Sequence, residues 1–336
     1  MTALALLPDP ASPLAFETAE TAFADILDGR VPDEDVAAFL IGLTLRDETS
    51  IEIAAAARAL RERMIEIRAP HGAIDVCGTG GDGAHSLNVS TAVSIVVAAT
   101  GVAVAKHGNR AASSMAGAAD TLEALGLDLD RASATAEETL AELGIAFLFA
   151  QAHHPALGRL APVRKAIGRR TIFNIVGPLC NPARVTRQLV GVARTDYIVT
   201  VGEAMRLLGA QSAMVVAGDE GLDELSIAGG SRIVRLGDCG GPELWREERV
   251  SPSDIGADRH PLTAIRGGDA AFNAAALTAL LDGDASPYRD AVLLNAAAAL
   301  IVADTADGWD DGATRAAEAI DSGAAKALLD RWIAFR

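Results

Sequence analysis

The chain has 336 residues, half of them hydrophobic, enough to bury a large core and to build two domains. Its formal net charge of −16 argues against binding a nucleic-acid phosphate backbone, and an aromatic content of 4% argues against a base-stacking platform. The three cysteines, Cys77, Cys180 and Cys239, are far apart and form no CxxC, which suits a reducing cytoplasm and gives no zinc site. The apolar run Ala3 to Leu7 is too short for a signal-peptide core, and no apolar run reaches the roughly 20 residues that span a bilayer. A soluble cytoplasmic protein is expected.

Residues 12 to 67 read as helical. Ser12-Pro13 has the form of an N-cap followed by proline at the first helical position, and predicts a helix ending near Gly29. Pro32-Asp33-Glu34-Asp35 opens a second helix with acids at its N-terminus and Arg46 near its end. Thr49 and Glu52 have capping-box spacing for a third, Ser50 to about Ile65, in which Ile53, Ala57, Leu60 and Met64 recur on one face. Arg68-Ala69-Pro70-His71-Gly72 then breaks the pattern and marks the expected domain boundary.

From Ala73 the pattern alternates between strands and helices. Ile74 to Cys77 is a short apolar run, followed by Gly78-Thr79-Gly80-Gly81-Asp82-Gly83, where four glycines in six positions let the backbone turn sharply and approach a ligand. Asn88 or Ser90 can cap the apolar helix Val89 to Ala99, which stops at Gly101. Val102 to Ala105 is a second strand, with Lys106-His107-Gly108-Asn109-Arg110-Ala111-Ala112-Ser113-Ser114 as its loop. Thr135 and Glu138 have capping-box spacing for a helix ending at Gly144, and Ile145 to Phe149 is a strand. Pro155 opens a helix carrying Arg159, Arg164 and Lys165 that ends at Gly168, and Thr171 to Ala183 reads as a loop. Leu189 to Val192, Ala213 to Ala217 and Ile233 to Leu236 are further strands, and residues 271 to 335 return to helix. The alternation predicts a mainly parallel sheet flanked by helices with right-handed crossovers.

Strand, glycine loop and helix N-terminus together make an anion site, because free N–H groups and the helix dipole face the loop. The next loop adds a lysine point charge, an arginine fork and hydroxyls, which suit phosphate or diphosphate. Each loop alone is equally an ordinary βα turn with surface cations. Asp223-Glu224, on a glycine-flanked loop after a strand, suits Mg²⁺ shared with phosphate oxygens, or else is a solvated acidic turn. Arg164 on a helix either meets an anion or faces solvent. Cys77 reads as a buried small residue rather than a nucleophile.

GTGGDG, the NVST run from Asn88 to Thr91, and KHGNRAASS resemble the anthranilate phosphoribosyltransferases of tryptophan biosynthesis, over about Pro13 to Asp304. The resemblance implies a helical domain of residues 1–70, to which a segment near 160–184 returns, beside an α/β domain of residues 71–336 of the nucleoside phosphorylase/phosphoribosyltransferase kind. It implies a homodimer joined through the helical domains and an active site in the interdomain cleft. It assigns donor binding to Gly78, Gly81, Asp82, Ser86, Asn88, Val89, Ser90, Thr91, the loop Lys106 to Ser114, and Ala118. Gly78, Asn109 and Arg164 would meet anthranilate; Ser90, Asp223 and Glu224 would hold Mg²⁺, of which two ions are expected. His107 and His154 can line the acceptor site or be structural, and no general base is assigned. Gly72 and Gly177-Pro178 are the expected hinges. Two stretches depart from the family pattern: Met115-Ala116 with Ala118, which costs a hydroxyl contact, and Phe149-Ala150-Gln151-Ala152 on the acceptor side. The rival readings are a pyrimidine nucleoside phosphorylase, which would lack the acidic metal pair, and a non-enzymatic nucleic-acid-binding relative, which would be basic.

Overall fold

The computed structural model describes residues 6–111, 114–237 and 245–336. Ala112, Ser113, Cys239 and the first five residues therefore lie outside the described residues. Three helices come first: α1 (Phe16–Leu27), α2 (Asp33–Leu45) and α3 (Ser50–Arg61). The Thr49–Glu52 capping box forms as expected, and Glu52, fully buried, also accepts the Leu14 N–H at 2.9 Å and pairs with Arg46. Ser12 is not the cap of α1, which starts after Ala15; the Ser12 carbonyl instead accepts from Arg46. Helix α3 stops at Arg61 rather than Ile65, because the Ile65 N–H is drawn off to the His153 carbonyl at 2.8 Å.

The rest of the chain winds a sheet. In order come β1 (Ile74–Gly78), α4 (Val89–Ala99), β2 (Val104–Gly108), α5 (Ala118–Ala124), α6 (Leu129–Ala134), α7 (Ala136–Glu142) and β3 (Ile145–Phe149). Then follow α8 (Ala150–His153), α9 (Pro155–Ile167), α10 (Ile172–Ile175), β4 (Arg187–Gly191), α11 (Ile198–Leu207), β5 (Ser212–Gly218), β6 (Ser231–Gly237) and β7 (Trp245–Val250). Helices α12 (Ala270–Leu281), α13 (Pro287–Val302), α14 (Trp309–Asp321) and α15 (Ala324–Ile333) complete the chain. The sheet order is β3-β2-β1-β4-β5-β6-β7. The first five strands run parallel, and β6 and β7 add to the edge antiparallel. This is the small helical unit and larger, mainly parallel α/β unit that the sequence predicts.

Alternating residues of the central strands point to two cores. Leu189, Met214 and Val216 pack with α4 and α13, whereas Val190, Val215 and Ala217 pack in one apolar cluster with Phe23, Leu40 and Leu60 of the N-terminal helices. Leu160, Val163, Phe173 and Leu179 belong to that second cluster too.

Three further expectations change. The Thr135–Glu138 box does not form, because Thr135 closes α6 and its hydroxyl donates to the Arg131 carbonyl. Residues 171–183 are not simply loop: they hold α10, begun by the Asn174 side chain accepting the Thr171 N–H at 3.1 Å, and a 3₁₀ turn at Gly177–Cys180. Strand β2 begins two residues late and takes in Lys106 and His107, both buried.

Candidate active site

A cleft of about 350 Å³ opens where the C-terminal ends of the parallel strands meet the helical side, as open α/β sheets favour. One wall is the glycine loop. Gly80, Gly81 and Gly83 have φ of +67°, +73° and +74°, a region costly for any residue with a Cβ. Gly78 is required for another reason: a Cβ there would run into the Asp223 carboxylate.

Asp223 and Glu224 face this loop. The Asp223 Oδ2 accepts the Gly80 N–H at 2.6 Å; burial, reinforced by Asp82, pushes its pKa up to about 7. Glu224 is raised well above the usual carboxylate range by burial and by Asp223 beside it. Its Oε1 accepts the Ser90 N–H at 3.1 Å, while its buried Oε2 has no partner among the described residues. Crowded, desolvated carboxylates with an orphan oxygen are short of a cation. Hard oxygen donors of this kind fit Mg²⁺, with the Ser90 hydroxyl close by. Among the described residues no group of three His, Cys, Asp or Glu is placed to hold a metal ion.

Lys106 lies beneath these groups. Its Nζ donates to the Val76 carbonyl at 2.8 Å and the Ser90 Oγ at 3.2 Å; burial lowers its pKa, opposed by the nearby charge of Asp75. Asp75 was missed in the sequence, where it passes as part of an apolar strand. It is fully buried, and its Oδ1 accepts the His107 N–H at 3.0 Å, so a side chain bridges β1 and β2 beside Lys106. A carboxylate one residue into an apolar strand, with a lysine on the next strand, is the signal that could have found it.

The remaining candidates divide. Ser86, Asn88, Gly108, Asn109, Ala111, Ser114 and Ala118 line the cleft with Gly81, Asp82 and Ser90. Asn88 does not cap α4 with its side chain; its Oδ1 accepts from Thr121 at 2.5 Å and from Asn273 at 2.9 Å, tying three helices together. Val89 and Thr91 are buried and are not part of the lining. Arg110 lines the cleft, but its guanidinium is paired with Asp120 at 2.8 Å and with Glu123, so the positive charge expected from the Lys106/Arg110 loop rests mainly on Lys106.

On the far wall is Arg164, in the last turn of α9. It is half-buried, and burial alone lowers its pKa, with no carboxylate opposing it. His107 and His154 also line the cleft, with Nε2 atoms 3.2 Å apart. Burial, then mutual repulsion among the histidines, depresses them to about 3 and about 4, so both are neutral near pH 7. Gln151 reaches Asn109 Oδ1 at 3.4 Å at the rim. Burial pushes both described cysteine thiols up, Cys180 to about 12, which leaves them poor nucleophiles.

The two units correspond to two known domain types. Residues 10–64 match the glycosyl transferase family helical bundle domain, and residues 71–326 match the glycosyl transferase family a/b domain. The class is thus a glycosyltransferase of bundle-plus-sheet form. Across 331 residues the chain is 64% identical to an anthranilate phosphoribosyltransferase of Novosphingobium aromaticivorans, covering 98% of this chain and 99% of that one. It is 61% identical to that of Sphingopyxis alaskensis over 98% of both chains. Among solved structures, anthranilate phosphoribosyltransferase from Thermus thermophilus superposes with a TM-score of 0.90 at 40% identity, covering 98% of this chain and 99% of that chain. The Saccharomyces cerevisiae protein in complex with PRPP and Mg superposes at 0.86 and 28% identity, covering 96% and 93%. The chain belongs to the anthranilate phosphoribosyltransferase family.

Proposed function

We propose that this cleft transfers the 5-phosphoribosyl group from 5-phosphoribosyl 1-diphosphate to the amine of anthranilate, giving N-(5-phosphoribosyl)anthranilate and diphosphate, the second step of tryptophan biosynthesis from chorismate. The observation that carries the reading is the buried Asp223–Glu224 pair, short of a cation and facing the glycine loop across the cleft. Asp223, Glu224 and Ser90 would hold Mg²⁺ there, and the ion would supply charge neutralisation for the departing diphosphate.

The chain's own groups supply position and electrostatics. Glycine-loop N–H groups, the start of α4, Lys106 and the loop through Ser114 hold the donor. The ribose C1–O bond breaks with its electron pair leaving on diphosphate, and the amine nitrogen forms the new C1–N bond. Arg164 pairs with the anthranilate carboxylate, and Gly78 and Asn109 lie against the ring. The arylamine is neutral at pH 7 and its proton can pass to water after bond formation, so the neutral His107–His154 pair need supply no strong base. The bundle, residues 1–70 with the returning segment near 160–184, forms the acceptor wall. Leu45 and Ile51 are exposed on it, consistent with a homodimer through the helical units. No helix among the described residues is long and apolar enough to cross a membrane, and the proposed setting is the cytoplasm.

The deciding experiment is turnover with anthranilate, phosphoribosyl diphosphate and Mg²⁺, beside thymidine plus phosphate. Phosphoribosylanthranilate formation abolished by chelator supports the reading; thymidine phosphorolysis in its place overturns it.

A further inference from the structure

The glycine loop is gripped from outside the cleft by an arginine that no motif singles out. Arg170 follows α9, and its guanidinium donates to two consecutive carbonyls of the loop: Nη2 to Gly80 O at 3.0 Å and Nη1 to Gly81 O at 3.4 Å. Arg170 is not part of the cleft lining, whereas Gly80, Gly81 and Asp82 are. The loop tip is therefore held between two opposite charges. Asp223, in the cleft lining, accepts the Gly80 N–H, and Arg170, outside the lining, donates to the carbonyls of Gly80 and Gly81.

Peptide planarity turns that grip into a statement about orientation. In a trans peptide the N–H points opposite to the carbonyl of the same unit. The chain has no cis peptide bond among the described residues. Fixing Gly80 O and Gly81 O on Arg170 thus aims the N–H groups of Gly81 and Asp82 away from Arg170. Neither N–H donates to another described residue. Gly80 and Gly81 both sit at positive φ and are exposed, so little else restrains a peptide flip. A flip would turn carbonyl oxygens, not N–H groups, toward an incoming anion, and would exchange attraction for repulsion.

The geometry points to Arg170 as a positioning residue that holds the glycine-loop peptides with their N–H groups toward the cleft, making the loop a ready receptor for the diphosphate of the donor. This rests on the functional reading above and adds to it a residue outside the cleft. The arginine leaves the same helix that carries Arg164, so one short segment, residues 164–170, orders both walls. A lysine would satisfy one carbonyl as a point charge and would not fork across two.

The test compares the full-length parent with Arg170→Ala, Arg170→Gln and Arg170→Lys. Two readouts are used: hydrogen exchange of residues 78–83 without ligand, and binding of inorganic diphosphate with Mg²⁺ alongside steady-state kinetics. The expected result is faster loop exchange and roughly a ten-fold weaker diphosphate affinity and donor KM in Arg170→Ala, from loss of charge-assisted bonds. Arg170→Lys should recover part of it, while anthranilate KM moves by less than about three-fold. Unchanged loop exchange and unchanged diphosphate affinity in folded Arg170→Ala and Arg170→Gln would overturn the inference. An equal loss in kcat and both KM values, with a lowered melting temperature and no gain from lysine, would overturn it too, as a general structural role. The exchange arm stands whether or not anthranilate is the acceptor. A parent that binds diphosphate but does not turn over anthranilate would refute the functional reading alone.

Discussion

Arg164→Ala separates acceptor recognition from donor recognition. Burial without an opposing carboxylate lowers the Arg164 pKa, and the guanidinium lines the cleft. Its desolvation is thus uncompensated in the free protein, and an incoming carboxylate regains what was lost. A hydrogen bond to a charged group contributes about 1.5–3 kcal/mol, and 1.4 kcal/mol is a factor of ten. The anthranilate KM should therefore rise about ten- to hundred-fold, with kcat at saturation less affected if the lost contact is uniform binding. Donor KM should change less than about three-fold, because the proposed donor groups, the glycine loop and Lys106, lie on other elements than α9. Removing a guanidinium that no protein carboxylate needs leaves no buried charge behind, so the melting temperature should stay within about 2 °C of the parent. Initial rates against anthranilate at saturating donor and Mg²⁺, beside a thermal melt, measure all of this. An anthranilate KM equal to the parent's would mean that Arg164 binds nothing, and a melt lowered by many degrees would mean that it is structural.

Asp223→Asn with Glu224→Gln should abolish Mg²⁺-dependent turnover while the ligand-free protein melts at or above the parent, since two crowded buried carboxylates become neutral; full activity with ordinary Mg²⁺ dependence would defeat the metal assignment. Glu52→Gln concerns folding: burial works to raise this carboxyl, but Arg46 and the Thr49 and Leu14 N–H groups outweigh it and lower the pKa. A depressed folded pKa contributes stability above the unfolded value near 4.3 and loses it as pH falls through the folded one. Denaturant melts should show Glu52→Gln less stable than the parent by about 1–3 kcal/mol at pH 7, with the gap closing below about pH 4; a constant gap would place the effect elsewhere. Donor with Mg²⁺ should slow hydrogen exchange in residues 78–83 of the parent, and unchanged exchange would mean that the donor lies away from the glycine loop.

The helical unit was legible because its signals are local. The Thr49–Glu52 box forms as spaced, and Gly29 follows α1 in the left-handed conformation, as Gly101 follows α4 in the sheet unit and Gly168 follows α9. The Thr135–Glu138 box has the same spacing and fails, because the preceding α6 claims the threonine hydroxyl. Spacing cannot report that competition. Lys106 and His107 read as loop because charge in a parallel strand is costly; the buried Asp75 on the neighbouring strand, with the Val76 carbonyl and the Ser90 hydroxyl, makes it tolerable, and those pairings are long-range. Strand β7 went unforeseen because WREERV places four charged residues in a row on a sheet edge instead of alternating apolar and polar residues. The glycine loop was readable from its residues, whereas the pairing of Arg110 with Asp120 and Glu123 needed the turn into α5 to be seen.

The apolar cluster that joins the N-terminal helices to the sheet bears on how the cleft can move. Phe23, Leu40 and Leu60 share one dry interior with Val190, Val215 and Ala217. Swinging the bundle away about hinges at Gly72 and Gly177 would wet that interior, at about 1.5–3 kcal/mol for each large side chain exposed. A closing movement about these hinges would have to keep that shared interior buried, which favours a small rotation over a wide swing.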